Sequence, residues 1–412
     1  MAEVSRRSAL FGGVGLVGGA LGGALAMRGA QAPSPDPGSA PGEGGGAPWA
    51  GVGQAVETFY GANQGGIATV PQARLALVAF DLLAGASRST LVRIMRIWTD
   101  DAARLTRGAP GLTDTEPELA TVPARLTVTV GYGPGVFEAA GLQARRPEWL
   151  APLPPFSVDR LEEGWCGGDL VLQICADDEV TVAHAVRVLV KEVRELAQVR
   201  WVQRGFRRGM GTQALGTTMR NLMGQVDGTV QPDVAGVDVG LLWAGPGPRS
   251  GTGWLEGGTS LVVRRIRLEL DTWDELDRPA REQVVGRRLA DGAPLTGTAE
   301  HDDPDLEAVN TLGFPVIDVA AHIRRSRSEK PGERFLRRGY NYDEPPGAGV
   351  PGSSGLVFVT FQADPVAQLV PIQQRLAEMD LLNTWTTPIG SAVFAVPPGC
   401  QEGEYLGHGL FG

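Results

Sequence analysis

The chain has 412 residues, 42% of them hydrophobic, which suffices for two domains with separate cores. A net charge of −10 excludes the continuous basic face that nucleic-acid binding needs; the arginines at 204–208 and 324–327 are local clusters. Cys166, Cys175 and Cys400 make no CxxC pair and only four histidines occur, which argues against zinc ribbons, iron–sulfur clusters and three-histidine zinc sites.

At the N-terminus, Ser5-Arg6-Arg7-Ser8-Ala9-Leu10-Phe11 precedes an apolar run rich in Gly and Ala that ends at Met27. This is the pattern of a twin-arginine export signal over residues 1–32. The run lacks the leucine density of a membrane span, so no stable span is expected; an uncleaved anchor is the alternative. Residues 33–66 are expected as a disordered linker, Pro-, Gly-, Ser- and Ala-rich to residue 50 and then a bridge into the fold. For the cysteines, one disulfide and a set of buried free thiols are both open.

The folded part predicts the same order twice. A strand at 74–83 is followed by a helix at 87–106, with Leu91, Ile94, Met95 and Trp98 on its apolar face. Alternation predicts strands at 125–130 and 169–176, then a helix at 179–196 and a strand at 199–206 in which Trp201 and Phe206 belong to the core. The second half gives a strand at 259–270 and a helix at 273–287 capped by Asp271 or Thr272. A strand at 355–362, a helix at 365–379 and a strand at 391–396 complete it. Acidic corners, Asp177-Asp178 and Asp364, precede the matching helices of the two halves. The fold expected is α+β: two ferredoxin-like domains, duplicated β–α–β units with antiparallel sheets, spanning 67–215 and 216–412.

Candidate chemistry lies in the segments that break this symmetry. Asp227 sits between Gly224 and Gly228, glycines that permit positive φ and close approach to a flat ligand; a surface turn is the plain alternative. Of the histidines, His184 lies in a predicted helix, His301 in an acidic loop and His408 in the Gly-rich tail. His322 has an apolar approach, from Pro315 to Ala321, and a basic exit through Arg324 and Arg325, which suits a ligand facing a cofactor with anionic groups; a core or surface histidine is the plain alternative and, on His322 alone, the favoured one. A single axial histidine is enough for haem iron. In Phe335-Leu336-Arg337-Arg338-Gly339-Tyr340, Arg337 is expected to point inward toward an anion such as Asp227, and Arg338 reads as a surface residue. No nucleophile elbow, P-loop or dinucleotide fingerprint occurs.

Taken in order, Gly224-x-x-Asp227-Gly228, His322-Ile323-Arg324-Arg325 and Arg337-Arg338-Gly339-Tyr340, behind a twin-arginine signal, resemble the dye-decolourising peroxidases of the exported bacterial kind, over about residues 70–400. The resemblance implies a haem b peroxidase acting on hydrogen peroxide and an organic electron donor such as a dye or phenolic. It implies His322 as proximal iron ligand, Asp227 as distal acid/base, Arg337 as distal arginine, and Asp380 as the carboxylate that hydrogen-bonds the histidine. Gly228, Thr229 and Val230 would line the haem edge and Arg327 would lie near a propionate; the oligomeric state is left open, a homo-oligomer being one option. Two departures are visible: Ser326-Arg327-Ser328-Glu329 and Gln231-Pro232 stand where many members have Asn-Pro. A helix-end role is the plain alternative for Asp380. An envelope haem- or iron-handling protein of the deferrochelatase kind, and a cofactor-free structural protein, are the competing functions. Trp243, Trp254, Trp273, Tyr340, Tyr342 and Trp385 are expected as core packing, with electron relay as the alternative role.

Overall fold

A computed structural model describes residues 51–412 except 215, 247–252 and 347–351. The expected export signal and the part of the expected linker up to residue 50 lie outside the described residues. In the first half the order is β1 (Arg74–Leu82), α1 (Arg88–Leu105), β2 (Thr127–Tyr132), α2 (Pro134–Ala140), β3 (Leu170–Ala176), α3 (Glu179–Val193) and β4 (Ala197–Phe206). Then come α4 (Val239–Leu242), β5 (Thr259–Leu268), α5 (Leu270–Asp274), α6 (Arg278–Val285) and α7 (His322–Arg325). The chain ends with β6 (Leu336–Arg337), β7 (Tyr340–Glu344), β8 (Ser353–Gln362), α8 (Pro365–Met379), β9 (Thr386–Val396) and α9 (His408–Phe411).

The helices start where side chains can satisfy the first backbone amides. Ser87 accepts from Thr90 N at α1, Asp178 from Thr181 N at α3, and Asp364 from Val366 N and Ala367 N at α8. The acidic corners of the two halves are therefore N-caps. The helix expected at 273–287 is instead two, α5 and α6. Pro279 has no amide proton to bond the carbonyl four residues back and its ring would clash there, so it is tolerated only in a first turn: the first helix stops and Asp277, not Asp271 or Thr272, caps the second.

Each half is a ferredoxin-like antiparallel sheet, β2-β3-β1-β4 and β9-β5-β8-β7, carrying its helices on one face. Single residue pairs, Tyr132 with Ala395 and Phe206 with Asn341, join the sheets at both ends. With the β5–β8 pairing, the strands close into a ring, and β6 is appended to β8. Closure buries both faces of β1 and explains its unbroken apolar sequence. Leu75, Leu77 and Ala79 face the interior between the sheets, with Tyr340, Val359 and Phe361 opposite. Ala76, Val78 and Phe80 face α1 and α3, where Trp98 is fully buried and its Nε1 donates to Leu189 O at 2.9 Å.

Residues 51–66, expected as the last part of the linker, pack onto the fold. Gln64 is 5% exposed and its Nε2 donates to Val130 O and Pro397 O. Cys166, Cys175 and Cys400 are all free thiols. Among the described residues no helix is long and apolar enough to cross a membrane.

Candidate active site

The glycine-flanked aspartate is held by a tight turn. Gly224 and Gly228 have φ of 83° and 118°, which side chains resist, and Asp227 N donates to Met219 O at 2.8 Å. The turn reading and the functional reading of this stretch are thus compatible. The Asp227 carboxylate faces Arg337, with Oδ1 3.6 Å from Nη1, and Asn221 Nδ2 donates weakly to Oδ2 at 3.4 Å. Both side chains keep contact with solvent, 23% exposed for Asp227 and 26% for Arg337.

Arg337 is fixed through its backbone. Its N–H donates to Gln231 Oε1 at 2.9 Å and its carbonyl accepts from Gln231 Nε2 at 3.1 Å, while Nη2 donates to Val230 O at 3.0 Å. The strand containing Arg337 therefore locks onto the loop that carries Asp227. The next residue contradicts its expectation. Arg338 is no surface residue but the more buried of the two arginines, 1% exposed, donating to Thr69 O and Gln72 Oε1. Successive residues in extended chain point to opposite sides, and the side that Arg338 takes is covered by the segment leading into β1.

His322 opens α7. Its Nδ1 donates to Asp380 Oδ2 at 2.6 Å. Asp380 ends α8 and is itself pinned, because its Oδ1 accepts from Leu382 N at 2.9 Å. Both readings of Asp380, helix-end residue and histidine partner, hold together. Burial pushes the His322 imidazole toward its neutral form, but the charge and hydrogen bond of Asp380 outweigh it and its pKa lies above the ordinary histidine value. A carboxylate that accepts from Nδ1 fixes the proton there. The Nε2 lone pair is left free for a ligand, and that atom has no partner among the described residues.

Asp227, Gly228, Thr229, Val230, His322, Arg327, Arg337 and Asp380 all border one cavity of about 670 Å³. Its walls include Ile266, Leu268, Phe358, Ile372, Leu376 and Leu382, and its polar border includes Arg287 and Arg327. Arg327 pairs with Asp303 at 2.7 Å. Apolar walls with a few convergent polar groups suit a large flat ligand that carries acidic substituents. Thr229 Oγ1 is buried without a hydrogen-bond partner, as expected of a group waiting for one. The residues present therefore fit a haem. Asn221 and Gln231 steady Asp227 and Arg337; Gln231 stands out in the sequence only as a departure from Asn-Pro, and because it lies 106 residues from its partner no local pattern signals that pairing.

The other histidines lie apart from this cavity or only at its border. His184 is buried against Asp114, 2.8 Å away, and His408 is near Glu404. His301 borders the cavity with its side chain 73% exposed.

Comparison with known proteins places this arrangement. The family described as Dyp-type peroxidase, N-terminal, matches residues 64–207, and Dyp-type peroxidase, C-terminal, matches residues 218–401. The chain is similar to the solved DyP-type peroxidase from Cellulomonas bogoriensis, with 59% identity and a TM-score of 0.85, covering 88% of this chain and 99% of that one. It is 40% identical to the dye-decolorizing peroxidase of Thermobifida fusca (strain YX), over 85% of this chain and 84% of that protein. It is 35% identical to a deferrochelatase of Yersinia pestis, over 98% of this chain and 94% of that protein. Sequence, fold and the cavity with its histidine and Asp–Arg pair agree: the chain belongs to the Dyp-type peroxidase family and is a peroxidase.

Proposed function

We propose that this peroxidase holds haem b in the 670 Å³ cavity and uses hydrogen peroxide to oxidise dyes, phenolics or similar organic donors. The observation that carries the reading is that one cavity receives both an Asp-supported histidine with a free Nε2 and an Asp–Arg pair. His322 Nε2 would hold the iron, Arg327 would answer an acidic substituent of the ring, and Gly228, Thr229 and Val230 would let the ring approach the backbone closely. Haem iron, when bound, supplies the redox chemistry.

The protein's own groups handle protons and charge. Asp227 takes the proton from one peroxide oxygen and returns it to the other, directly or through water, so that water leaves. Arg337 supplies fixed positive charge where negative charge develops on the departing oxygen. Asp380 keeps the imidazole in the tautomer that leaves Nε2 free and raises its basicity.

The deferrochelatase relatives favour a second reading, a haem- or iron-handling protein of the cell envelope. Purification with haem reconstitution, followed by steady-state oxidation of a dye with peroxide, separates the two. A Soret band with sustained peroxide-dependent turnover is expected. Haem bound without turnover would favour the second reading, and a protein that takes up no haem would sink both.

The paired arginines at positions 6 and 7 support export by the twin-arginine route to the envelope or beyond. Replacing both with lysine is expected to keep the protein in the cytoplasmic fraction of an expressing bacterium. Unchanged export of that variant would remove this assignment.

A further inference from the structure

A second cavity, of about 900 Å³, shares with the first the wall formed by Asp227, Gly228, Thr229, Gln231 and Arg337. Its other sides come from residues 67–73, ahead of β1, and from the connection that follows β4. Six arginines and two aspartates border it, in a protein whose net charge is −10. Some of that charge is answered within the protein. Arg125 pairs with Asp177 and Glu57, Arg337 faces Asp227, and Arg220 donates to the carbonyls of Gly224, Leu289 and Ala290.

Among the described residues, Arg207, Arg208 and Arg338 form no ion pair with a carboxylate, although the charge of Asp227 is felt at Arg207. Arg207 donates to Gly339 O and lies over the Tyr340 ring at 4.9 Å, and burial pushes its pKa below the ordinary value. Arg338 is 1% exposed, reaches only uncharged acceptors, and its Nε has no partner. The acidic groups that act on it, Tyr340 and Cys175, provide no counter-charge, because burial pushes both pKa values up and both stay protonated at neutral pH. A desolvated cation without an anion is costly; Arg338, 1% exposed, adds positive charge behind the cavity wall, whereas half-buried Arg207 and exposed Arg208 are the two that an anion in the cavity can meet.

We propose that the second cavity binds a small phenol bearing a carboxylate, as the electron donor of the reaction; the proposal rests on the peroxidase reading. The arginines take the carboxylate, and Ile67, Phe206 and Met219 give the ring apolar surface. Each of two donor molecules gives up one electron and its phenolic proton, and one hydrogen peroxide takes both electrons and both protons to become two waters. The shared wall puts the donor next to Asp227 and Arg337, the groups that manage charge on the peroxide side.

The test is calorimetric titration of the haem-reconstituted enzyme with 4-hydroxybenzoate and with its neutral counterpart 4-hydroxybenzamide. The anion is expected to bind about tenfold more tightly than the amide, as a charge-assisted contact gives. In Arg207→Gln/Arg208→Gln that preference is expected to fall to about twofold or less, and the ratio of KM values for the two donors to change in parallel. Arg207 is packed against Tyr340, so Arg208→Gln alone, at an exposed position, is the control for folding; it is expected to weaken 4-hydroxybenzoate by about threefold. Equal affinity for acid and amide overturns the proposal. A preference that survives in both variants, with or without a shift of the Soret band, also overturns it, because the anion then binds elsewhere. Failure to bind haem or to turn over peroxide would instead overturn the peroxidase reading, so the two failures are distinguishable.

Discussion

Replacing His322 with alanine is expected to strip the protein of stably bound haem. Its imidazole is the group in the cavity whose lone pair is both free and backed by a carboxylate, through the 2.6 Å bond to Asp380. Removing it leaves apolar contacts and peripheral arginines, which hold the ring but not the iron. After reconstitution and desalting, the haem-to-protein ratio of His322→Ala should fall well below that of the parent, with a displaced Soret band, and added imidazole should restore part of both. Asp380→Asn keeps the shape and loses the charge, so haem should still bind but about 10–100-fold more weakly, in line with the loss of a ligand's hydrogen-bond partner. A His322→Ala protein with full haem occupancy and an unchanged spectrum would take the ligand role away from His322.

Local patterns carried far in this chain. The apolar periodicity of α1 and α3, the caps at Ser87, Asp178 and Asp364, and the alternating strands are properties of neighbouring residues and are visible as such. The duplicated ferredoxin-like order followed from them. What was not visible depends on the other half of the molecule. Closure of the ring rests on the pairs Tyr132–Ala395 and Phe206–Asn341, each joining residues far apart in sequence. Arg337 faces Asp227 as its local sequence suggests, but Arg338 is covered because residues 69–72 lie over it, a fact that nothing near residue 338 encodes.

The candidate site divides in the same way. Asp227 between two glycines, and His322 with its basic exit, stand out locally, but each is ambiguous alone. Their joint meaning came from order and resemblance, and their meeting in one cavity came from the fold. Gln231, which bonds Arg337 at both its amide and its carbonyl, and Asn221 beside Asp227 have ordinary local sequence and acquire a role only through contact. The break between α5 and α6 is legible in Pro279, which interrupts the apolar period of that stretch.

The distal pair should respond unequally to mutation. Arg337→Leu is expected to slow the reaction of the haem protein with peroxide by about 10²–10³-fold, the loss typical of a preorganised charge that stabilises developing negative charge. The backbone at 337 is held by Gln231 whatever the side chain, so the effect reports the missing guanidinium and not a displaced strand. Asp227→Asn removes a proton carrier, for which about 10²-fold marks the lower end of the usual range. Water can carry a proton between peroxide oxygens and so take over part of the shuttle, whereas water cannot replace a fixed positive charge. The arginine variant is therefore expected to lose more, and the aspartate variant to recover part of its rate when small weak acids such as formate are added. Stopped-flow measurement of the second-order rate with peroxide, at matched haem occupancy, decides both points. An unchanged rate in Asp227→Asn would end its role as proton carrier, an unchanged rate in Arg337→Leu would end the electrostatic role, and a larger loss in Asp227→Asn would mean that the cavity keeps bulk water from the peroxide.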